Sequence, residues 1–130
     1  MTILSEKIKV TTAGTAGSAV GATNSDGAIT GRILAIALDY HASTPATADV
    51  TITERIGTTD RQTIHVETDS TTDVVRYPRR DGEDNAEAGV EYSNNYPIYE
   101  PYVVNGQIRV AVAQGDALTD AVVVTVIYET

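Results

Sequence analysis

The sequence contains no cysteine, no phenylalanine and no tryptophan. Without cysteine, the chain forms no disulfide framework and offers neither a thiolate nucleophile nor a thiolate metal site. Without phenylalanine and tryptophan, the core has to be built from valine, isoleucine, leucine and alanine, and seven tyrosines supply the only aromatic rings. A chain rich in small and β-branched residues is expected to form sheets rather than helices.

Positive charge is scarce as well. Nine basic residues stand against eighteen acidic ones, which gives a formal net charge of −9 at pH 7. A field of this sign repels phosphate groups, so it disfavours direct binding to nucleic acids or to anionic membranes and suits a partner with a basic surface. The other interpretation is that the excess acid keeps a β-rich protein soluble.

Long hydrophobic runs are also absent. Glu6 and Lys7 interrupt the apolar positions near the N-terminus, which argues against a signal peptide. No run approaches the roughly 18 apolar residues that a membrane helix needs. We therefore expect synthesis in a cytoplasm, and 130 residues suffice for a single domain spanning residues 1–130.

The strand pattern is clearest between Gly31 and Ile56. The run from Ile33 to Leu38 is apolar on both faces and short, which predicts a central strand. The following run alternates. Its predicted core positions are Ala48, Val50, Ile52 and Ile56, and its predicted solvent positions are Asp49, Thr51, Thr53 and Arg55.

Further strands follow from the same criteria. Residues Ile3–Thr11 carry outward lysines and suit an edge strand, and Ala121–Tyr128 is apolar at almost every position and suits a central one. Asn105-Gly106 predicts a two-residue hairpin turn. The sequence thus predicts an all-β, single-domain β-sandwich or jelly-roll-like barrel of about seven to nine short antiparallel strands, without a helix.

The segment from residue 12 to residue 27 (TAGTAGSAVGATNSDG) is composed of small residues and glycine. It offers little to pack, and its Ser-Asp-Gly end is a turn signal. We expect a long, flexible Gly/Ala/Thr-rich loop or extended arm here. Loops of about sixteen residues are unusual inside compact domains, so this one is a candidate contact region.

Residues with catalytic chemistry do not form a convincing set. Asp39, His41 and Ser43 lie close together in sequence, whereas a Ser-His-Asp triad is normally assembled from separate elements. A polar strand end running into a turn is the favoured interpretation. His65 is expected to point to solvent from a strand whose Ile64 and Val66 face inward. The sequence therefore predicts no enzyme and no cofactor.

A charged, turn-rich stretch follows from residue 79 to residue 89, which we expect to be a surface loop. Oxygen-bearing side chains stand at alternate positions in it, at Asp81, Glu83, Asn85 and Glu87. The order resembles a run of calcium ligands, but it departs from the EF-hand pattern in its glycine position and in its lack of a bidentate glutamate at position twelve. A solvated loop without metal is the favoured interpretation.

Four of the tyrosines are concentrated in one stretch that also contains Pro97 and Pro101. Prolines argue against an interior strand, so this stretch is expected along an edge or across an end of the sheets. Tyrosine with proline and asparagine on an edge or loop is a common composition of binding surfaces. The preceding arginines, Arg76, Arg79 and Arg80, are placed to pair either with the acids of the neighbouring loop or with carboxylates of a partner. The candidate partner-binding residues are Tyr92, Tyr96, Tyr99, Tyr102, Arg79 and Arg80. The alternative is that these tyrosines only cap one end of the sandwich.

Three runs carry a resemblance to a known group of proteins: GRILAIALDYHASTPATADVTITE, YPIYEPYVV and AVVVTVIYE. Together they resemble the small capsid decoration, or cement, proteins of tailed bacteriophages. The resemblance implies a β-sandwich that forms trimers, binds the major capsid protein and sits on the virion capsid surface. It assigns no role to any single residue. The alternative hypothesis is a phage tail or fibre adhesion module that binds host carbohydrate through exposed tyrosines.

Overall fold

The structure is a computed structural model, and it describes the chain except for residues 84, 85, 87, 94 and 95 and the side chains of residues 92, 93 and 96. The described residues form strands and no helix. The strands are β1 (Ile3–Val10), β2 (Ala19–Asn24), β3 (Ile29–Tyr40), β4 (Asp49–Ile56), β5 (Thr59–Glu67), β6 (Val74–Arg76), β7 (Arg79–Asp81), β8 (Glu91–Ser93), β9 (Tyr96–Pro97), β10 (Tyr99–Pro101), β11 (Val103–Gly115) and β12 (Val122–Glu129). The predicted all-β fold class is confirmed.

Eight strands are hydrogen-bonded into one folded-over sheet, in which every pairing is antiparallel. Its first half, which we call sheet I, contains β1, β12, β3 and β6. Its second half, sheet II, contains β2, β11, β4 and β5. The halves are joined where Ile29–Arg32 of β3 pairs with Val103–Gly106 of β11. This arrangement is a β-sandwich with one shared corner.

The inner faces of both sheets share one hydrophobic core. Aliphatic side chains fill it, as the composition predicts, and tyrosine is the only aromatic contributor. The core residues are Ile8, Val10, Ile29, Ile33, Ile36, Leu38, Tyr40, Val50, Ile52, Ile64, Val104, Ile108, Val110, Val112, Val122, Val124 and Val126.

The strands that are apolar on both faces lie inside their sheet, as predicted. β12 is flanked by β1 and β3, and β3 is flanked by β12 on one side and by β6 and β11 on the other. The lysine-bearing strand β1 lies at the end of the hydrogen-bonded path, which confirms its predicted edge position. Local sequence pattern therefore identified the strands at the centre of sheet I.

The prediction for β4 was wrong at its C-terminal end. Ile56 is 47 % exposed, and the side chain that is fully buried there is Glu54. Register shifts between β4 and β5 follow Ile52 and Glu54, and such bulges redirect side chains that strict alternation would place on fixed faces. The same shifts explain why Val66, predicted to face inward, is 49 % exposed.

The predicted hairpin turn at Asn105-Gly106 was also wrong, because both residues lie within β11. Asn105 pairs with Thr30 and Gly106 with Ile29 at the corner between the sheets. A Cβ atom on Gly106 would lie 2.8 Å from the Arg55 carbonyl oxygen. The glycine is needed here for close backbone approach, not for a turn.

The predicted loop from residue 12 to residue 27 contains strand β2, which pairs with β11. Ala13 and Val20 form an additional antiparallel bridge. A Cβ atom on Gly21 would lie 2.2 Å from the Thr11 carbonyl oxygen. The small residues that suggested a loose segment therefore permit two backbones to pack closely.

Candidate functional site

The candidate site is a ribbon formed by the described residues between positions 77 and 102, which we call the β-arm. It leaves the sandwich after β6 and returns at β11. At its base, β7 pairs with β10, so that Arg80 lies opposite Glu100 and Asp81 opposite Tyr99. Farther out, Gly82 N donates to Ile98 O over 2.6 Å, and Ile98 N donates to Val90 O over 2.9 Å. The pair β8 and β9 continues the ribbon.

The β-arm is separate from the hydrophobic core. Among its described residues, only Tyr102 packs against the core, and that residue lies at the junction with β11. Arg79 ties the base to the sandwich, since its Nη1 donates to the Leu34 carbonyl oxygen of β3 over 3.3 Å. Pro97 and Pro101 cannot donate to a strand ladder, and their positions on short strands match the predicted edge location.

The predicted partner-binding residues fall into different environments. The Tyr99 side chain is 61 % exposed on the β-arm, whereas Tyr102 is partly buried against the core. Tyr92 lies in β8 and Tyr96 in β9, and their side chains lie outside the described part of the structure. The β-arm thus presents Tyr99 to solvent and uses Tyr102 as an anchor.

The two predicted arginines also differ in role. Arg79 donates to the backbone carbonyls of Leu34 and Pro78. Arg80 forms ion pairs with Glu83 at 2.6 Å and with Glu100 at 3.6 Å, so its charge is compensated within the β-arm. Asp81 is exposed beside this group.

Exposed apolar side chains accompany these charges. Tyr77 is 66 % exposed, Tyr99 61 % and Ile98 41 %. Tyr99 lies opposite Asp81 in the pair of β7 and β10, so one exposed aromatic ring stands beside an exposed carboxylate, a combination found at protein interfaces.

The proposed run of calcium ligands is only partly described. Asp81 is exposed at the end of β7 and Glu83 is paired with Arg80, whereas Asn85 and Glu87 lie outside the described residues. Within the described part of the chain, no three His, Cys, Asp or Glu side chains are grouped so that they could hold a metal ion.

Asp39, His41 and Ser43 form a local turn at the end of β3. The backbone N–H of Ser43 donates to His41 Nδ1 over 3.0 Å, and the N–H of Thr44 donates to the His41 carbonyl oxygen over 2.9 Å. Asp39 is exposed on the outer side of the strand. The described residues enclose no pocket at this turn or elsewhere.

Sequence reasoning missed the buried carboxylate of Glu54. Its side chain is 0 % exposed and accepts hydrogen bonds from Gln62 Nε2 at 2.9 Å and from the Asn105 backbone N–H. Arg61 Nε lies 3.2 Å from the same carboxylate. Glu54 therefore connects β4, β5 and β11 at the corner of the sandwich, and the only sequence signal was its position in phase with Val50 and Ile52.

A second missed group closes the side of the sandwich between β5 and β6. Arg76, on an edge of sheet I, bonds to the Glu67 carboxylate on the edge of sheet II. His65, predicted to stand alone in solvent, is 22 % exposed with its Nε2 2.8 Å from Glu67 Oε1. The hydrogen bond from Arg76 holds the pKa of Glu67 below its ordinary value, and His65 acts in the same direction.

Two other groups near the Glu67–Arg76 pair also have shifted pKa values. The pKa of Arg76 is raised by its hydrogen bond to Glu67. The pKa of Tyr40 is raised chiefly because the ring is buried. Asp73 supports the connection by accepting a hydrogen bond from the Tyr40 backbone N–H at 2.8 Å. These interactions hold two sheet edges together, and we assign them a structural role.

No family model, curated protein or solved structure matches the chain. Within the described residues, no helix is long and apolar enough to cross a membrane.

Proposed function

We propose that the chain is a structural binding protein, and specifically a capsid decoration protein that binds the assembled phage head through its β-arm. The observation that carries this proposal is the β-arm itself, a ribbon that leaves the sandwich and presents exposed Tyr77, Ile98 and Tyr99. The resemblance of three sequence runs to phage decoration proteins supplies the partner, which is the major capsid protein.

The division between sandwich and β-arm supports this proposal. The sandwich has a complete aliphatic core to which, among the described residues 77–101, none contributes. An element that is not needed for the core is free to be shaped by a partner surface. Its exposed tyrosines match the aromatic anchors that dominate the binding energy of many interfaces.

The charge of the molecule bears on the chemistry of the partner. A net charge of −9 favours association with a surface that offers uncompensated Lys or Arg. A protein that binds only the assembled head stabilises the head by mass action, without chemistry. Many copies that each bind weakly then act together when the chain is oligomeric, and three copies is the number that the resemblance implies.

The test is binding to purified heads by co-sedimentation. We expect the unaltered chain to sediment with heads, and Tyr99→Ser to lower its affinity by at least about tenfold, as for a single aromatic anchor. Val66→Ser is the matched control, because Val66 is 49 % exposed on β5, away from the β-arm. Absence of sedimentation, or equal loss in both variants, would contradict the proposal.

A carbohydrate-binding adhesion module is the second candidate. The exposed rings of Tyr77 and Tyr99 favour it, because flat aromatic faces stack on sugar rings. Its test is a glycan array probed with the unaltered chain and with Tyr99→Ser. Binding that is lost in the variant would support this candidate over the first, whereas an array without signal would eliminate it.

A further inference from the structure

The outer face of sheet I, which points away from sheet II, carries an apolar stripe along β12 and β3. Core side chains on β12 are Val122, Val124 and Val126, so the residues between them point outward. These outward residues are Val123, Thr125 and Ile127, and all three are half-buried. Their cross-strand partners on β3 are Asp39, Ala37 and Ala35.

The outer face of sheet II mixes polar and apolar side chains. Its central strand β11 presents Arg109 and Ala111, both half-buried, and Ala111 pairs with Thr51 of β4. Thr51 pairs in turn with Val66 of β5, which is 49 % exposed, whereas Thr53, the partner of Arg109, is buried. What distinguishes the outer face of sheet I is the arrangement of its charges.

Charged residues flank the apolar stripe on sheet I in a specific order. Lys9 of β1 pairs with Val123 of β12, and Val123 pairs on its other side with Asp39 of β3. One row of cross-strand neighbours therefore contains a cation (Lys9), an apolar residue (Val123) and an anion (Asp39), on strands about 4.8 Å apart. Neither Lys9 nor Asp39 forms an ion pair with another described residue of the chain. The next row adds Lys7 opposite Thr125.

This order is complementary to itself. A twofold axis running along β12 exchanges the position of β1 with that of β3, because both strands are antiparallel to β12. A second copy rotated about that axis places its Lys9 over Asp39 of the first copy and its Asp39 over Lys9. Val123 of one copy then packs against Val123 of the other, and Ile127 against Ile127, with the two sheets separated by roughly 10 Å as in packed sheets generally.

We propose that the outer face of sheet I is a self-association surface, on which two copies of the chain pack face to face with reciprocal Lys9–Asp39 ion pairs. The contact is isologous, so it joins copies in pairs. It uses sheet I and not the tyrosines of the β-arm, so it stands independently of the proposed capsid binding. It also differs from the threefold assembly implied by the resemblance, and the mass in solution distinguishes the two.

The test combines solution mass with charge exchange. Light scattering coupled to size exclusion, over a wide range of protein concentration, should give the unaltered chain a mass approaching twice 13.8 kDa. Lys9→Glu and Asp39→Lys should each raise the dissociation constant of the dimer by about tenfold or more. Each substitution replaces both symmetry-related Lys9–Asp39 attractions by repulsions between like charges. The double variant Lys9→Glu/Asp39→Lys should restore dimerisation.

The matched control is Arg109→Glu on the outer face of sheet II, which changes net charge as Lys9→Glu does and should leave the dimer intact. Asp39→Lys separates the specific pairing from net charge, because it reduces the overall negative charge and yet should weaken association. Circular dichroism verifies that each variant is folded. A monomeric or trimeric mass, or a double variant no better than its parents, would overturn the proposal.

Discussion

At the residue scale, Glu54 places a fully buried carboxylate at the corner of the sandwich. Burial of a carboxylate is costly unless hydrogen-bond donors compensate it, and here a side-chain amide and a backbone N–H do so. Arg61 adds an ion pair from the solvent side, where its side chain is 51 % exposed. The stability of the corner therefore depends on the hydrogen bonds more than on the ion pair.

Glu54→Ala is expected to lower the free energy of unfolding by about 3 kcal/mol, because it opens a cavity, leaves the Asn105 N–H without its acceptor and leaves Gln62 Nε2 with only the Val103 carbonyl oxygen. Urea denaturation measures the change. Arg61→Ala should lower the free energy of unfolding by less than Glu54→Ala does, because Arg61 is 51 % exposed and the two hydrogen bonds to the Glu54 carboxylate remain. Equal losses in both variants would show that the ion pair carries the stability.

The Glu67 carboxylate predicts a pH dependence. Its folded-state pKa lies below the ordinary value of 4.5, chiefly because Arg76 donates a hydrogen bond to it. A carboxylate with a lowered pKa contributes stability that is fully present above the unfolded-state pKa and is lost as pH falls through the folded-state value. The closure between β5 and β6 should therefore weaken in acid.

Glu67→Gln is expected to lower the free energy of unfolding at neutral pH by only about 1 kcal/mol, because the Arg76 side chain is 48 % exposed and solvent screens its interaction with Glu67. Thermal melts across pH should show the difference from the unaltered chain narrowing below about pH 4.5. Glu100→Gln is the control, because Glu100 is 50 % exposed and lies 3.6 Å from Arg80. If Glu67→Gln remained as much less stable than the unaltered chain in strong acid as at neutral pH, the ionised Glu67 carboxylate would not be the source of the stability difference.

At the scale of elements, close packing of strands explains where sequence signals misled. Glycine in Asn105-Gly106 and in the segment from residue 12 to residue 27 suggested turns and loose chain. In both places the missing Cβ instead permits one backbone to approach another, at Arg55 O and at Thr11 O. From sequence alone, a glycine that lets two strands approach closely cannot be distinguished from a glycine that lets the chain turn.

Gly21→Ala is expected to lower the free energy of unfolding by about 3 kcal/mol, because the added Cβ would lie 2.2 Å from the Thr11 carbonyl oxygen. Gly27 lies in the same segment, and a Cβ added there would meet nothing within 4 Å. Gly27→Ala should therefore leave stability unchanged or raise it by up to about 1 kcal/mol. Chemical denaturation of both variants tests whether β2 is integral to the fold.

The β-arm was predicted only as separate parts. Its charge and prolines correctly indicated a surface location, and Tyr99 is exposed as a binding residue requires. The pairing of β7 with β10 escaped prediction because each strand has three residues, too few to establish a period of two. The inward placement of Tyr102 depends on the adjoining core, which no local pattern encodes.

At the scale of the whole molecule, net charge controls behaviour in solution. The whole chain carries a formal net charge of −9 at pH 7, and its sequence pI is about 4.4. Repulsion between copies keeps the chain dispersed at neutral pH and disappears near the pI. Any self-association at neutral pH therefore depends on a surface whose own charges are complementary.

Solubility is expected to reach its minimum near pH 4.4, where net charge vanishes and the exposed apolar residues of sheet I and the β-arm can meet without repulsion. Turbidity of a concentrated solution, followed across pH, measures this. Because Glu67→Gln alters one carboxylate, it should shift the minimum only slightly. A solution that stays clear through pH 4.4 would contradict the prediction.

Four features could be predicted from the sequence without the structure: the all-β class, the aliphatic core, the edge position of β1 and the central positions of β3 and β12. These follow from local alternation and from strands apolar on both faces, which are properties of neighbouring residues. Four features are visible only in the folded molecule: the burial of Glu54, the continuity of β11 through Asn105-Gly106, the pairing of β2 with β11 and the pairing of β7 with β10. Each of these depends on bulges and on contacts between residues far apart in the chain, and a periodic pattern in one segment contains no information about the backbone that will lie against it.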